Sequence, residues 1–281
     1  MATKQLMLPG EIVKKSNALA RARWSAESVW EPRLVALLAS KVRQDDTDFQ
    51  VYEVPVGEIM RGSTGGKDYR EIETVVDRVM SRVLTIRDKA GWTKYNVFSR
   101  CRYRSEDAIL ELGFHPDLRP HYLNLQKHFA QYNLLEYLKL PSIYSQKIFE
   151  FLKSWDDKPE TTIDLQELFE MLEVPSTLQR YPDFRRFVLN RAHNDIHKLT
   201  SLEYEWEPIK KGKAVAAIRF VFSGGNKIIV SKKNKSISDH KQSQDNNKYF
   251  KAAVECHQSG KCNYKPTSKV CTICKKLFPT E

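Results

Sequence analysis

Tyr181-Pro182-Asp183-Phe184-Arg185-Arg186-Phe187-Val188-Leu189-Asn190-Arg191-Ala192-His193-Asn194-Asp195-Ile196-His197-Lys198-Leu199 is the stretch on which the fold turns. On a helix over Phe184–Leu199, the side chains of Phe184, Val188, Leu189, Ala192, Ile196 and Leu199 share one side, at the three- and four-residue spacing of a buried face. Arg186, Asn190, His193, Asn194 and His197 share the other, with Arg191 and Lys198 on one flank and Arg185 on the opposite flank. No carboxylate belongs to that polar set. All its members can donate hydrogen bonds, and Arg can grip a guanine edge with two, so the face suits base edges and phosphates. Pro182-Asp183 is a plausible helix start.

A two-stranded pattern follows at once. Leu202, Tyr204 and Trp206 alternate with Glu203, Glu205 and Glu207; after Pro208-Ile209-Lys210-Lys211-Gly212-Lys213, the alternation resumes at Ala216, Ile218, Phe220 and Phe222. Two shorter helical patterns, Ser142–Ser154 and Leu165–Leu172, come before. Helix, helix, long polar-faced helix and a hairpin with a basic tip is the order of a winged helix, a variant of the helix-turn-helix. A basic helix face taken alone is usually only solvated. The basic hairpin tip beside it in chain order makes DNA the better reading. The candidate DNA contacts are therefore Arg185, Arg186, Asn190, Arg191, His193, Asn194, His197, Lys198, Lys210, Lys211 and Lys213.

The chain has 281 residues, room for two domains, and a formal net charge of +11. That charge is uneven: residues 223–281 hold 12 Lys, no Arg and 4 acids, whereas residues 141–222 hold 12 basic and 13 acidic residues. Any DNA-binding field in the second half must come from placement, with acids on Leu165–Glu173 and bases on Arg185–Lys213. No apolar run approaches a membrane span, and the N-terminal apolar run is too short for a signal peptide. Four of the five cysteines lie in the last 26 residues, which does not describe a disulfide framework. A cytosolic protein is expected.

The first half repeats the order of the second. Glu11–Leu19 leads into a helix around Ser28–Val42 whose core positions are Leu34, Val35, Leu37, Leu38 and Val42, and Gln50–Val54 is a short strand. Gly62–Asp68 superficially looks like a phosphate-binding loop, but its spacing is one residue short and Asp68 stands where Ser or Thr should bind magnesium. A flexible loop is expected there. A helix over Tyr69–Arg87 and a hairpin of Thr93–Tyr103 with Ala108–Phe114 complete the unit. In the joining segment His115–Leu140, Leu118, Tyr122, Leu125 and Phe129 are expected along a helix and Tyr132–Leu138 extended. The fold class is thus α+β: two tandem winged-helix domains, residues 1–140 and 141–222, then a basic tail, residues 223–281, with a disordered linker over Lys232–Lys251.

Three runs carry a family resemblance: Lys15-Ser16-Asn17-Ala18-Leu19, Leu138-Lys139-Leu140-Pro141-Ser142-Ile143-Tyr144-Ser145-Gln146-Lys147-Ile148-Phe149-Glu150-Phe151-Leu152, and Phe184-Arg185-Arg186-Phe187-Val188-Leu189. In their order and spacing, over about residues 9–222, the chain resembles the iteron-binding plasmid replication initiators of bacteria, the Rep proteins with two winged-helix domains. That family usually has a longer aliphatic residue at Gln146, Arg at Lys147 and Tyr at Phe149. The resemblance implies a bacterial cytoplasmic protein whose monomers bind direct repeats at a plasmid origin, open the adjacent AT-rich duplex, and bring in the host initiator DnaA and the replicative helicase. It implies dimers, formed mainly through the first domain, that bind an inverted repeat and repress their own gene. It implies no catalytic residues.

The residues agree that catalysis is absent. A rolling-circle nickase needs a nucleophilic Tyr near a His-apolar-His metal site, and no Glu stands beside His193 to complete a zincin pattern with His197. The alternative within the same fold is a tandem winged-helix transcription regulator; the alternative of another class is a scaffold using the first domain for protein contacts. The resemblance does not explain the tail, where Cys256, Cys262, Cys271 and Cys274 could hold a structural zinc, with His257 able to replace Cys256.

Overall fold

A computed structural model of the chain describes residues 12–43, 45–59 and 71–222. The expectations for Gly62–Asp68, for Tyr69, for the linker and for the cysteine-rich tail lie outside the described residues. Those described all fall within one compact unit, and no helix among them is long and apolar enough to cross a membrane.

The first half opens with β1 (Ile12–Ser16), whose last residue caps α1 (Asn17–Ala20): the Ser16 hydroxyl accepts from the Leu19 amide at 3.1 Å. α2 (Trp30–Lys41) follows, buried along nearly its whole length, with Leu34, Val35, Leu37 and Leu38 in the core. β2 (Tyr52–Pro55), α3 (Val56–Ile59) and α4 (Ile72–Ser81) come next. α4 buries Ile72, Val75, Val76 and Val79, the face its spacing predicts, but ends six residues short of Arg87. Val83–Asp88 is instead β3, paired antiparallel with β4 (Gly91–Asn96). The reason is local. Val83, Thr85 and Ile86 are β-branched, and Asp88 makes a tight turn by accepting from the amides of Ala90 and Gly91 at 2.8 and 3.0 Å. Gly91, at φ 147°, holds a conformation that side chains rarely adopt.

The expected strand Thr93–Tyr103 is correspondingly two strands, broken at the buried Val97. β4 pairs with β3, while β5 (Phe98–Arg104) pairs with β6 (Ile109–Phe114). With β2 these form the sheet β2-β6-β5. The joining segment also differs from expectation. Arg119–Tyr122 (α5) is a single turn, Phe129–Asn133 is strand β7 paired with β1, and Leu134–Lys139 is helical (α6). The Asn133 side chain accepts from the amides of Leu135 and Glu136, a cap that turns the expected extended run into a helix.

The second half holds α7 (Ile143–Lys153, capped by Ser142), β8 (Glu160–Asp164), α8 (Leu165–Leu172) and a long helical rod. The rod comprises α9 (Tyr181–Phe184), a π turn (Arg185–Leu189) and α10 (Asn190–Leu199). β9 (Tyr204–Lys211) and β10 (Ala214–Phe222) follow, in the sheet order β8-β10-β9. Two helix-plus-wing units in tandem make the α+β fold, but they do not have separate interiors. One apolar core runs through both halves, and α7 is the seam.

The polar residues of α7 explain that seam. Ser145, Gln146, Lys147 and Glu150 are all buried. The Glu150 carboxylate accepts from the buried Lys15 ammonium at 2.6 Å and from the Tyr132 hydroxyl; the Lys147 ammonium donates to the Trp24 carbonyl. Arg21 donates to the Ser154 hydroxyl and carbonyl at 2.8 and 2.7 Å, and Arg23 pairs with Glu170 on α8. Buried charges this well partnered fix one arrangement of the halves, since any other would strand a charge.

Candidate nucleic-acid interface

The helical rod buries what its periodicity assigned to the core: Phe184, Val188, Leu189, Ala192 and Ile196 are buried, and Leu199 is partly so. It lies against α7, where the Ser145 hydroxyl donates to the Asp195 carboxylate at 2.6 Å. Asp195 is the one carboxylate of α10, and this bond fixes it to α7.

The opposite face is exposed at Arg185, Arg186, Phe187, Asn190, Arg191, Asn194, His197 and Lys198. The π turn shapes its first part. The Asn190 amide bonds to the Arg185 carbonyl, five residues back, and the widened turn puts three consecutive side chains, Arg185 to Phe187, outward. The wing is equally exposed. Lys211 pairs with Ala214 in a two-residue tip, Gly212-Lys213, with Gly212 at φ 65° as such a turn requires, so Lys210, Lys211 and Lys213 stand at or next to the tip. The strands reach Lys211, further than the loop read from sequence.

Charge pairing separates these bases from Arg219 and Arg104. Among the described residues, Arg185, Arg186, Arg191, Lys198, Lys210, Lys211 and Lys213 form no ion pair with a carboxylate. Arg219, on the same wing sheet, is held by Glu160 and Glu207 at 2.6 and 3.0 Å, and Arg104 is held by Glu53, Asp107 and Glu111. Uncompensated cations on one helix face and at the tip of the wing that follows it in the chain are the electrostatic footprint expected of a duplex-binding surface.

His193 and His197 sit differently from the arginines. Their rings pack in a tilted pair at 4.2 Å between centroids, and both Nε2 atoms meet the Tyr204 carbonyl oxygen, at 3.2 Å from His193 and 2.7 Å from His197. Each ring thus spends one nitrogen on fastening the rod to the first strand of the wing. Burial and the neighbouring His197 hold His193 below the usual histidine range, opposed by Glu205, whose carboxylate lies 3.6 Å away. His193 is therefore largely neutral near pH 7. Among the described residues, no three His, Cys, Asp or Glu side chains gather as metal ligands.

The counterpart helix of the first half is unlike this one. α4 exposes Glu73, Thr74, Asp77 and Ser81, and carboxylates are repelled by phosphate. Sequence periodicity found both helices; it missed β8, the bond that fixes Asp195, and the exposure of Phe187. Only the alternation of Thr161 and Ile163 hinted at β8.

Residues 12–153 match the family model described as "Initiator Replication protein, WH1", and residues 164–222 match "Initiator Rep protein, WH2". Among solved structures, the chain is similar to the Pi initiator protein, crystallised in complex with iteron DNA. The TM-score is 0.61 at 17% identity, covering 77% of this chain and 98% of that one. At that identity the likeness speaks for the fold. Domains 2 and 3 of RctB also match, at a TM-score of 0.44 and 13% identity over 79% of this chain and 93% of that one, too low a score to carry an argument.

Proposed function

This chain belongs to the initiator replication protein family, in which DNA-binding winged helices rather than catalytic centres do the work, and on that premise we propose that it binds double-stranded DNA at direct repeats of a plasmid origin. The observation that carries the reading is the face of unpaired Arg and Lys with exposed Asn190 and Asn194, beside a basic wing tip. Arg186, Asn190 and Asn194 offer the forked donors and acceptors that read guanine and adenine edges in the major groove. Arg185, Arg191, Lys198, Lys210, Lys211 and Lys213 neutralise phosphates and set the register. His193 and His197 hold the rod against the wing, so that both reach the duplex together. The Pi initiator, of the same fold, was crystallised with iteron DNA, which supports the choice of repeat DNA as partner.

Bound at the repeats, the protein opens the neighbouring AT-rich duplex and recruits the host initiator DnaA and the replicative helicase in the bacterial cytoplasm. As a homodimer joined through residues 1–140, it binds an inverted repeat and represses its own gene. Trp92, Tyr103 and Val83 in the first half are large apolar side chains exposed by 60%, 51% and 44%, and so are open to a partner. Sedimentation across micromolar concentrations, paired with footprints on the direct and inverted repeats flanking the gene, tests this. A concentration-dependent dimer, with the monomer favouring direct repeats, is expected. A single species with identical footprints on both repeat types would refute it.

A further inference from the structure

Phe187 is an apolar ring on the face that otherwise carries only polar and charged side chains. It is 47% exposed, and its neighbours one and two turns on are Asn190, Arg191 and Asn194, all exposed. Ordinary helical spacing from these residues puts it there, and the π turn brings Arg185 out beside it. Without that widened turn, three successive residues could not all face outward while Phe184, Val188 and Leu189 stay buried. The Arg186 guanidinium lies over the ring, 5.1 Å from its centroid. A guanidinium so placed is attracted to the ring face, and the ring in turn limits where it can swing.

We propose that Phe187 reads thymine, through contact with the 5-methyl group in the major groove, and that it holds Arg186 for the neighbouring base. The methyl is the one apolar feature a base pair shows in that groove, and Phe is among the side chains suited to it. A ring that must stay dehydrated against a methyl gains nothing from cytosine, which lacks one. Phe187 thus adds an apolar term to a face whose other members discriminate by hydrogen bonds. This inference rests on the duplex-reading function above.

The test uses the full chain. Selection from a random duplex pool yields its preferred site, and each thymine in that site is then replaced by deoxyuridine, which differs only in lacking the methyl. Wild-type protein should lose about four-fold in affinity at one thymine position, the worth of one buried methyl group. Phe187→Ala should bind the parent site more weakly, show no further loss from deoxyuridine at that position, and select sites with relaxed thymine preference there. Phe187→Leu, which keeps an apolar side chain, should retain part of the methyl dependence. An enriched site whose deoxyuridine profile is the same in wild type and Phe187→Ala would overturn the role of Phe187 while leaving duplex reading intact. A wild-type protein that enriches no sequence would overturn both.

Discussion

Lys147 gives the seam between the halves a measurable pH dependence. Its ammonium is buried on α7 and donates to the Trp24 carbonyl; burial lowers its pKa to about 8 from an ordinary 10.5, against smaller opposing effects of Glu173, Glu150 and Glu31. Below pH 8 the lysine is charged in both the folded and unfolded states, and the folded state bears the cost of holding that charge out of water. Between pH 8 and 10.5 the unfolded chain binds a proton that the folded one has released, so stability rises with pH. Each unit of displacement is worth ~1.4 kcal/mol, so the gain from pH 7 to pH 10 is about 2–3 kcal/mol. Four buried phenols bound the window from above. Burial raises the pKa values of Tyr122, Tyr132, Tyr137 and Tyr204, so each favours unfolding once pH passes the ordinary tyrosine value near 10. Urea unfolding at pH 7, 8, 9, 10 and 11 should show wild-type stability climbing and then turning down. Lys147→Met should lose the climb and keep the downturn. At pH 7 the variant should stay close to wild type, because relief of the buried charge offsets a lost hydrogen bond worth roughly 1.5–3 kcal/mol. Parallel stability curves for the two proteins between pH 8 and 10 would refute the reasoning.

Other outcomes follow from the same structure. Glu150→Leu strands the Lys15 ammonium and the Tyr132 hydroxyl, and should cost about 3–5 kcal/mol in chemical denaturation. Adding Lys15→Met should recover much of that loss, and a single-variant cost under ~1 kcal/mol would contradict the view of the pair as a clamp. Lys211→Ala and Lys213→Ala should weaken specific and non-specific DNA binding alike, each lowering the slope of log affinity against log salt by about 0.9. An unchanged slope would remove the wing tip from the phosphates. Purified full-length protein should carry stoichiometric zinc, held less tightly as pH falls and lost in Cys271→Ser with Cys274→Ser; metal-free protein with four freely titrating tail thiols would reject that site.

Where local chemistry decides the outcome, the sequence was readable. The buried stripe of the helical rod, the bounds of α8 and the alternation of β9 and β10 follow from apolar spacing, which tertiary packing reinforced. Asp164 even signals the start of α8 by its type and place. What escaped was the result of competition. A helix from Tyr69 to Arg87 satisfies the spacing rule, but the β-branched run at Val83 and the Asp88 turn win it for a hairpin. Asn133 likewise converts an apparently extended stretch into a helix by capping it. The shared core escaped for another reason: nothing within α7 says that Gln146, Lys147 and Glu150 face protein on both sides. Residue types marked the helix face that is exposed, but only the fold distinguishes His193 and His197, which hold the wing strand, from the arginines that are left unpaired.

Base reading by the exposed face of Tyr181–Leu199 is tested most directly by titrating wild type, Arg186→Ala and Asn190→Ala against the direct repeats and a scrambled duplex at one salt concentration. Each variant should lose about 1–3 kcal/mol on the repeats, and far less on the scrambled duplex, if its side chain meets a base edge. Titration curves on the repeats that coincide for all three proteins would take this helix out of the interface.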